Sequence, residues 1–396
     1  MKKIRNKIML TMMVLTLLPA ILIGAYSFYS TSEALRENVL KDQKNQLTRA
    51  QQAIQATVSR VESDLLFLRD SSAMQLYLAA KKTSRKRSTL LLANLRNSAL
   101  QFTQQQQIYS AVRYLDLKGD ELMRIEKQDG IATSLEKKES LLNRSERDYF
   151  KEALKLRNNQ IYISTPALRQ ANDKLLEPKQ GTVRYATIVT DADGSRQGVL
   201  VLNLDADRML KGLVNEEQDQ WAITLTDPDG FYLYHRDTKK MWSGPANLNT
   251  GQNIFNDVAL SEADVKGTDK MKTSESTSML TLSTPVSLGD NRPALGYLFS
   301  VIPKQQLFKP LEDYLTVTLV IAAVSLLLSL IFAAMLANSL SEPLVELKDN
   351  VERFSRGDLE TPIVSKTKNE IGDLSRAVEL LRKSMNILMK RQGRSS

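Results

Sequence analysis

The sequence predicts an α+β protein that crosses a membrane twice. A long N-terminal helix and two antiparallel α/β sheet modules lie on one side, and a parallel helical bundle shared by two chains lies on the other. Three observations predict this. Ile8–Phe28 and Tyr314–Ala337 carry no charged side chain and approach the ~20 apolar residues that a spanning helix needs. Between them, strand–turn–strand units recur in two successive blocks. After the second stretch, apolar residues recur at spacings of three and four in two short runs joined by a polar connector.

The predicted plan is a basic N-terminus at 1–7, a first span at 8–29, a large exported region at 30–312, a second span at 313–337, a helical tail at 338–390 and an end at 391–396. Lys2, Lys3, Arg5 and Lys7 precede the first span with no acid among them. A basic flank of this kind stays in the cytoplasm, so the tail is expected there too, with 30–312 periplasmic or extracellular. A cleaved signal peptide fits less well: the apolar run exceeds a ~7–15-residue signal core and no small-residue cleavage site follows it.

The net charge of +9 does not describe a nucleic-acid binder. Part of it is the N-terminal cluster, which suits an anionic leaflet, and the charges of 30–312 are mixed. The chain has no cysteine and one histidine, His235. That excludes disulfides, thiolate metal sites and histidine metal clusters; His235, at a strand end with no evident nucleophile partner, is not expected to be catalytic, and no cofactor is expected. The exported region depends on its apolar core, and it is long enough to bury one or two.

From Thr31 to about Lys81 there is no proline or glycine. Ile54, Val58, Val61, Leu65 and Leu68 form one helical stripe. The stripe thins around Asp42–Gln46, which predicts a more solvated first half. Tyr109–Asp116, the Lys118–Asp120 turn and Glu121–Ile125 read as a hairpin. Arg147–Leu156 reads as a helix, and Gln160–Ser164 as a short strand. Val183–Thr190 and Gly198–Asp205 flank the Asp191–Gly194 turn. Trp221–Thr226 with Phe231–His235, and Met279–Leu288 with Gly296–Val301, make two further hairpins. The blocks divide into modules at about 82–210 and 211–305, the first expected far from the membrane. The stretches 168–181 and 244–280 read as long loops, which serve as connectors or binding loops. Trp221 and Trp242 are expected to anchor core or loops. Asp227, Asp229 and Gly230 read as turn chemistry rather than a metal loop.

In the tail, Leu340, Leu344, Leu347, Val351 and Phe354 recur at heptad spacing, as do Ile371, Leu374, Val378, Leu381, Met385 and Leu388. Neither helix can bury its stripe alone, so four helices from two chains, a homodimer, are expected. Pro343 just past the membrane suits an early-helix position. Gly357-Asp358-Leu359 ends the first helix, and Asn369-Glu370-Ile371-Gly372 opens the second. These residues resemble the HAMP domain of bacterial transmembrane receptors over about 338–389, with Asn369 where Asp is usual. The resemblance implies that Pro343, Leu347, Gly357, Glu370, Ile371 and Leu381 relay a signal.

The exported region then resembles a double Cache sensor domain with two PAS-like modules. The segments Val112–Asp116, Arg147–Phe150, Tyr162–Ser164, Arg184–Thr187, Gly198–Asn203 and Asp229–His235 carry the likeness. It implies a bacterial inner-membrane receptor that binds an extracytoplasmic small molecule, usually in the distal module, and signals without catalysis in this chain. Arg147 and Tyr149 match the helix-start motif that often faces the pocket. Arginine offers a planar fork and tyrosine a rigid hydroxyl. With Arg184, Arg113, Tyr162 and Arg124 on or beside the same sheet, these residues are the candidates to bind a carboxylate-like ligand. The partner is either a separate cytoplasmic protein or a fused output domain, as in the sensor half of a longer chemoreceptor, histidine kinase or diguanylate cyclase. An exported region that docks a periplasmic binding protein is the alternative of a different class.

Overall fold

A computed structural model describes residues 2–136, 140–171, 174–212, 221–267, 270–289, 294–364 and 369–392. The chain forms two compact units, Glu37–Leu307 and Met1–Arg36 with Phe308–Ser396.

Helix α1 (Lys2–Arg69) contains the first apolar stretch and the sequence-predicted stripe. Ile54, Val58, Val61, Leu65 and Leu68 are all buried. The expectation of a solvated first half fails at Gln43 and Gln46, both buried. Gln43 Oε1 accepts a hydrogen bond from Ser300 at 2.6 Å, and Gln51 donates to the Pro285 carbonyl at 2.9 Å. Polar side chains facing a sheet thin an apolar stripe without exposing it.

The helix predicted to reach Lys81 breaks instead after Arg69. Ser71 is extended, and its hydroxyl caps α2 (Ser72–Thr83) by accepting from the Met74 amide. Ser84 repeats the device for α3 (Arg85–Gln105). Helix α3 lies in a stretch for which the sequence pattern predicts no element. Its buried face is only Leu95, Ala99 and Thr103.

The first module is an antiparallel seven-stranded sheet. Its strands are β1 (Tyr109–Leu115), β2 (Glu121–Gln128), β3 (Ile131–Ser134), β4 (Tyr162–Ile163), β5 (Ala167–Leu168), β8 (Gly181–Thr190) and β9 (Arg196–Asp205). The order is β3-β2-β1-β9-β8-β4, with β5 also pairing with β8. Between β5 and β8, β6 (Gln170–Ala171) and β7 (Lys174–Leu175) pair as a small hairpin where sequence predicted a loop. One face of the sheet presents Val112, Met123 and Leu200 towards Leu95 and Ala99 of α3. On the other, Leu115, Ala186, Ile188, Val199 and Val201 pack on Tyr149, Phe150 and Ala153 of α4 (Asp148–Lys155). Helix α5 (Ala206–Lys211) follows β9.

The second module is a five-stranded antiparallel sheet of order β11-β10-β14-β13-β12. Its strands are β10 (Ile223–Thr226), β11 (Tyr232–Tyr234), β12 (Lys272–Glu275), β13 (Met279–Ser287) and β14 (Ala294–Pro303). Tyr232, Tyr297 and Phe299 pack on Ile254 of α6 (Ile254–Asp257), with Val258 and Val265. Asp227 Oδ1 accepts from the amides of Asp229 and Phe231, the expected turn chemistry.

In the other unit, α7 (Lys304–Ser355) contains the second apolar stretch, and α8 (Glu370–Gln392) is the last helix. Both α1 and α7 are long and apolar enough to cross a membrane. Pro343 does not start a helix as expected: it lies inside α7. There it removes an interior amide donor rather than one that a helix start leaves free. Gly357, at φ +98°, ends α7 in the left-handed region that glycine tolerates. Asn369 caps α8 by accepting from the Gly372 amide at 3.3 Å, so asparagine fills the role aspartate usually takes. Part of the predicted connector (365–368), residues 290–293 between the strands of the last predicted hairpin and the end at 393–396 lie outside the described residues.

Candidate functional site

Antiparallel register places several polar residues on the α4-facing side of the seven-stranded sheet. Arg113 of β1 pairs with Arg124 of β2 and with Val201 of β9. Ala111 pairs with Glu126 and with Asn203, and Arg184 of β8 pairs with Asn203. Side chains two apart on a strand share a face, so Arg113, Arg124, Glu126, Arg184 and Asn203 all point the same way.

Opposite them, Arg147 occupies the N-cap position of α4, and Tyr149 lies in its first turn. Tyr162 comes from β4. Ser164 locks this edge to β8: its amide donates to the Arg184 carbonyl, and its hydroxyl accepts the Arg184 amide, both at 2.9 Å. These elements enclose a cavity of about 310 Å³, small for a ligand site. All six sequence-predicted ligand candidates, Arg113, Arg124, Arg147, Tyr149, Tyr162 and Arg184, line it.

The arginines are not equivalent. Arg113 and Arg124 both reach Glu126, at 2.9 and 2.8 Å. Arg113 also lies 3.3 Å from Glu121, whose side chain is fully buried. Arg144 contacts Glu121 at 3.0 Å. Burial pushes the Glu126 carboxyl up, but Arg113 and Arg124 outweigh it and hold the group below its ordinary value. This network fixes two guanidinium groups as the cavity wall.

Arg184 and Arg147 have no carboxylate within 4 Å among the described residues. The Arg184 guanidinium sits 5.9 Å from the centre of the Tyr149 ring, a cation–π distance. Burial, followed by the neighbouring positive charge of Arg113, lowers its pKa to about 10. Burial, with Asp148 and Glu152 nearby, raises the Tyr162 hydroxyl, so it stays a neutral donor at physiological pH.

Sequence reasoning missed Arg144, Arg169, Glu126 and Asn203. Asn203 was the legible one: on its face of β9 it follows Val199 and Val201, and it interrupts an apolar alternation. It is 3% exposed, and its buried Oδ1 has no hydrogen-bond partner among the described residues.

The second module closes the cavity from one side. Ala246 lines it. Asn247 Oδ1 accepts the Leu168 amide at 2.8 Å, and Gln170 donates to the Ala246 carbonyl at 3.2 Å. His235 lies elsewhere, stacked edge-on to Tyr232. Its Nδ1 accepts the Asp237 amide at 2.9 Å.

Of the relay candidates, Pro343 and Leu347 lie within α7, Gly357 at its end, and Glu370, Ile371 and Leu381 on α8. Leu347 is buried, whereas Leu374, Leu381 and Leu388 are 52%, 57% and 59% exposed. The opposite face of α8 holds the connector. Arg382 bonds Glu379 at 2.8 Å, Asn386 donates to the Leu359 carbonyl at 3.0 Å, and the Ile363 amide donates to Glu379 at 2.8 Å.

Several known proteins share this architecture. A domain assigned to a sensory box/GGDEF family protein of Vibrio parahaemolyticus is 25% identical, with a TM-score of 0.60 over 68% of this chain and 98% of that one. The extracellular domain assigned to a histidine kinase is 24% identical, with a TM-score of 0.60 over 70% and 96%. The ligand-binding domain of the Campylobacter jejuni chemoreceptor Tlp3, solved with L-norvaline, is 15% identical, with a TM-score of 0.50 over 70% and 95%. No curated protein matches the chain. The HAMP domain matches residues 335–386, in agreement with the tail motifs. The bacterial histidine kinase sensor domain matches residues 37–247, more than half of the chain, and this protein belongs to that family.

Proposed function

We propose that this protein is a bacterial inner-membrane receptor whose distal module binds a small anion and whose HAMP domain passes the resulting conformational change to a cytoplasmic output. The observation that carries the reading is Arg184: a guanidinium with no carboxylate within 4 Å among the described residues, over Tyr149 and beside Arg147, in a cavity lined by residues of both modules. An arginine without a counter-ion in a confined site favours an anionic ligand. Arg147, Arg184 and Tyr162 are its contacts, Tyr149 orients Arg184, and Arg113 and Arg124 form the wall.

A ligand acts only through its different affinity for two states of the protein. The chain offers a continuous route for such a difference. The cavity edge at Leu168 and Gln170 bonds the 246–247 loop of the second module, and β14 of that module leads directly into α7. A two-state four-helix HAMP bundle in a homodimer is the element biased, and the exposed Leu374, Leu381 and Leu388 are the stripe that a second chain would cover.

The built cavity supports direct sensing over docking of a periplasmic binding protein. The test is a thermal-shift titration of the full chain in lipid nanodiscs with small carboxylates, phosphates, amines and sugars. A stabilising anion whose effect disappears in Arg184→Ala is the expected result. Stabilisation by uncharged sugars or amines alone, undiminished in Arg184→Ala, contradicts the reading.

A further inference from the structure

The receptor reading above calls for a small anion, and the cavity wall says more about its chemistry. Six arginines line the cavity: Arg113, Arg124, Arg144, Arg147, Arg169 and Arg184. Among the described residues, Glu126 and Asp148 face them as lining acids, with Glu121 buried beneath Arg113, Arg124 and Arg144. Three acids against six guanidinium groups leave a local surplus of positive charge. Arg169 shares Glu126 at 3.7 Å with two other arginines, so that single carboxylate cannot neutralise them all.

We propose that the occupant is a compact organic anion bearing two or more negative charges. A zwitterion brings no net charge and leaves the surplus in place, and a monoanion removes one part of it. Unneutralised like charges in a confined site repel one another, so affinity rises with ligand charge. A volume of about 310 Å³ admits a small ligand only.

The apolar and aromatic features also fit. The Tyr149 face is already covered by Arg184, so the ring offers no open cage for an ammonium group. The apolar lining is limited to Leu142, Leu168, Leu176 and two alanines.

Two sources share this chemistry, a small polycarboxylate and a phosphate ester of a small polyol, and one experiment separates them. Full chain in nanodiscs is titrated calorimetrically with L-malate, succinate, acetate, glycerol 3-phosphate, inorganic phosphate and L-norvaline, in wild type, Arg184→Ala and Arg147→Ala. The expected result is that malate, succinate or glycerol 3-phosphate binds at least tenfold tighter than acetate and norvaline. That affinity falls at least tenfold in both arginine variants. Acetate or norvaline binding tighter than every polyanion, and lost in Arg184→Ala, overturns the polyanion inference while leaving the receptor reading standing. Absence of any Arg184-dependent binding overturns both.

Discussion

The Trp242 indole N–H donates to Asp207 at 3.1 Å, and the indole covers Gly181 at the start of β8. This contact joins a loop of the second module to the first, at the strand that carries Arg184. Trp242 holds φ at +57°, a region that bulky side chains rarely occupy and that costs about 1–3 kcal/mol. Asp207 also accepts the Gly181 amide at 2.6 Å, so one carboxylate fixes both partners.

Gly181 is therefore expected to tolerate no side chain. A Cβ there would lie 2.0 Å from the Trp242 ring. Gly181→Ala should destabilise the chain by about 1–3 kcal/mol through overpacking, read as a lower melting temperature. The double variant Gly181→Ala/Trp242→Ala should lose less than the sum of the two single variants, because the clash is gone.

Tyr149 positions Arg184 through its ring rather than its hydroxyl, which has no hydrogen-bond partner among the described residues. Tyr149→Phe should keep anion affinity within about twofold. Tyr149→Leu should weaken it by about 0.5–2 kcal/mol, the range of a cation–π contact. A titration of both variants with the anion that binds wild type checks this.

Glu379 gives the connector a pH signature. Its hydrogen bonds from Arg382, and then from the Ile363 amide, outweigh burial and hold its pKa at about 2, below the ordinary 4.5. A depressed carboxyl contributes stability above its unfolded pKa and loses it as pH falls through the folded one. Docking of the connector on α8 should therefore be constant between pH 5 and 8 and should weaken from about pH 4.5 down to about 2. The Ile363 amide, which donates to Glu379 at 2.8 Å, is the reporter. Its hydrogen-exchange protection, corrected for intrinsic rate, should fall over that window and be lost in Glu379→Ala at neutral pH.

The two leucines of the tail should behave differently. Leu347 is 7% exposed and Leu381 is 57% exposed in a single chain. Leu347→Asn should lower stability at every protein concentration, because it places an amide in a buried position. Leu381→Glu should shift dimer to monomer and leave the helix intact, as read by sedimentation and circular dichroism.

Legibility varied with the range of the interaction that decides each feature. The β8–β9 hairpin announces itself through the Asp191–Gly194 turn and strict alternation, both local signals. The six ligand candidates converge because motif order fixes strand order, and strand order fixes the shared face. Helix α3 was missed because Leu95, Ala99 and Thr103 are its only buried positions amid many polar ones. The break after Arg69 rests on a single serine cap. Gln43 read as solvated because its partner, Ser300, lies at the far end of the sensor region. Pro343 sits mid-helix because α7 is continuous through it, and no pattern within the tail signals that continuity.

The central claim is that filling the Arg184 cavity changes the HAMP helices. The chain has no native cysteine, so Leu381→Cys introduces a single thiol at the stripe that the dimer would bury. The direct measurement is the rate of disulfide cross-linking at that position in nanodiscs, with and without the anion that binds wild type, on the Arg184 and Arg184→Ala backgrounds. The account predicts a ligand-dependent change in rate on the Arg184 background and none with Arg184→Ala. An unchanged rate with the wild-type cavity shown to be occupied would contradict it.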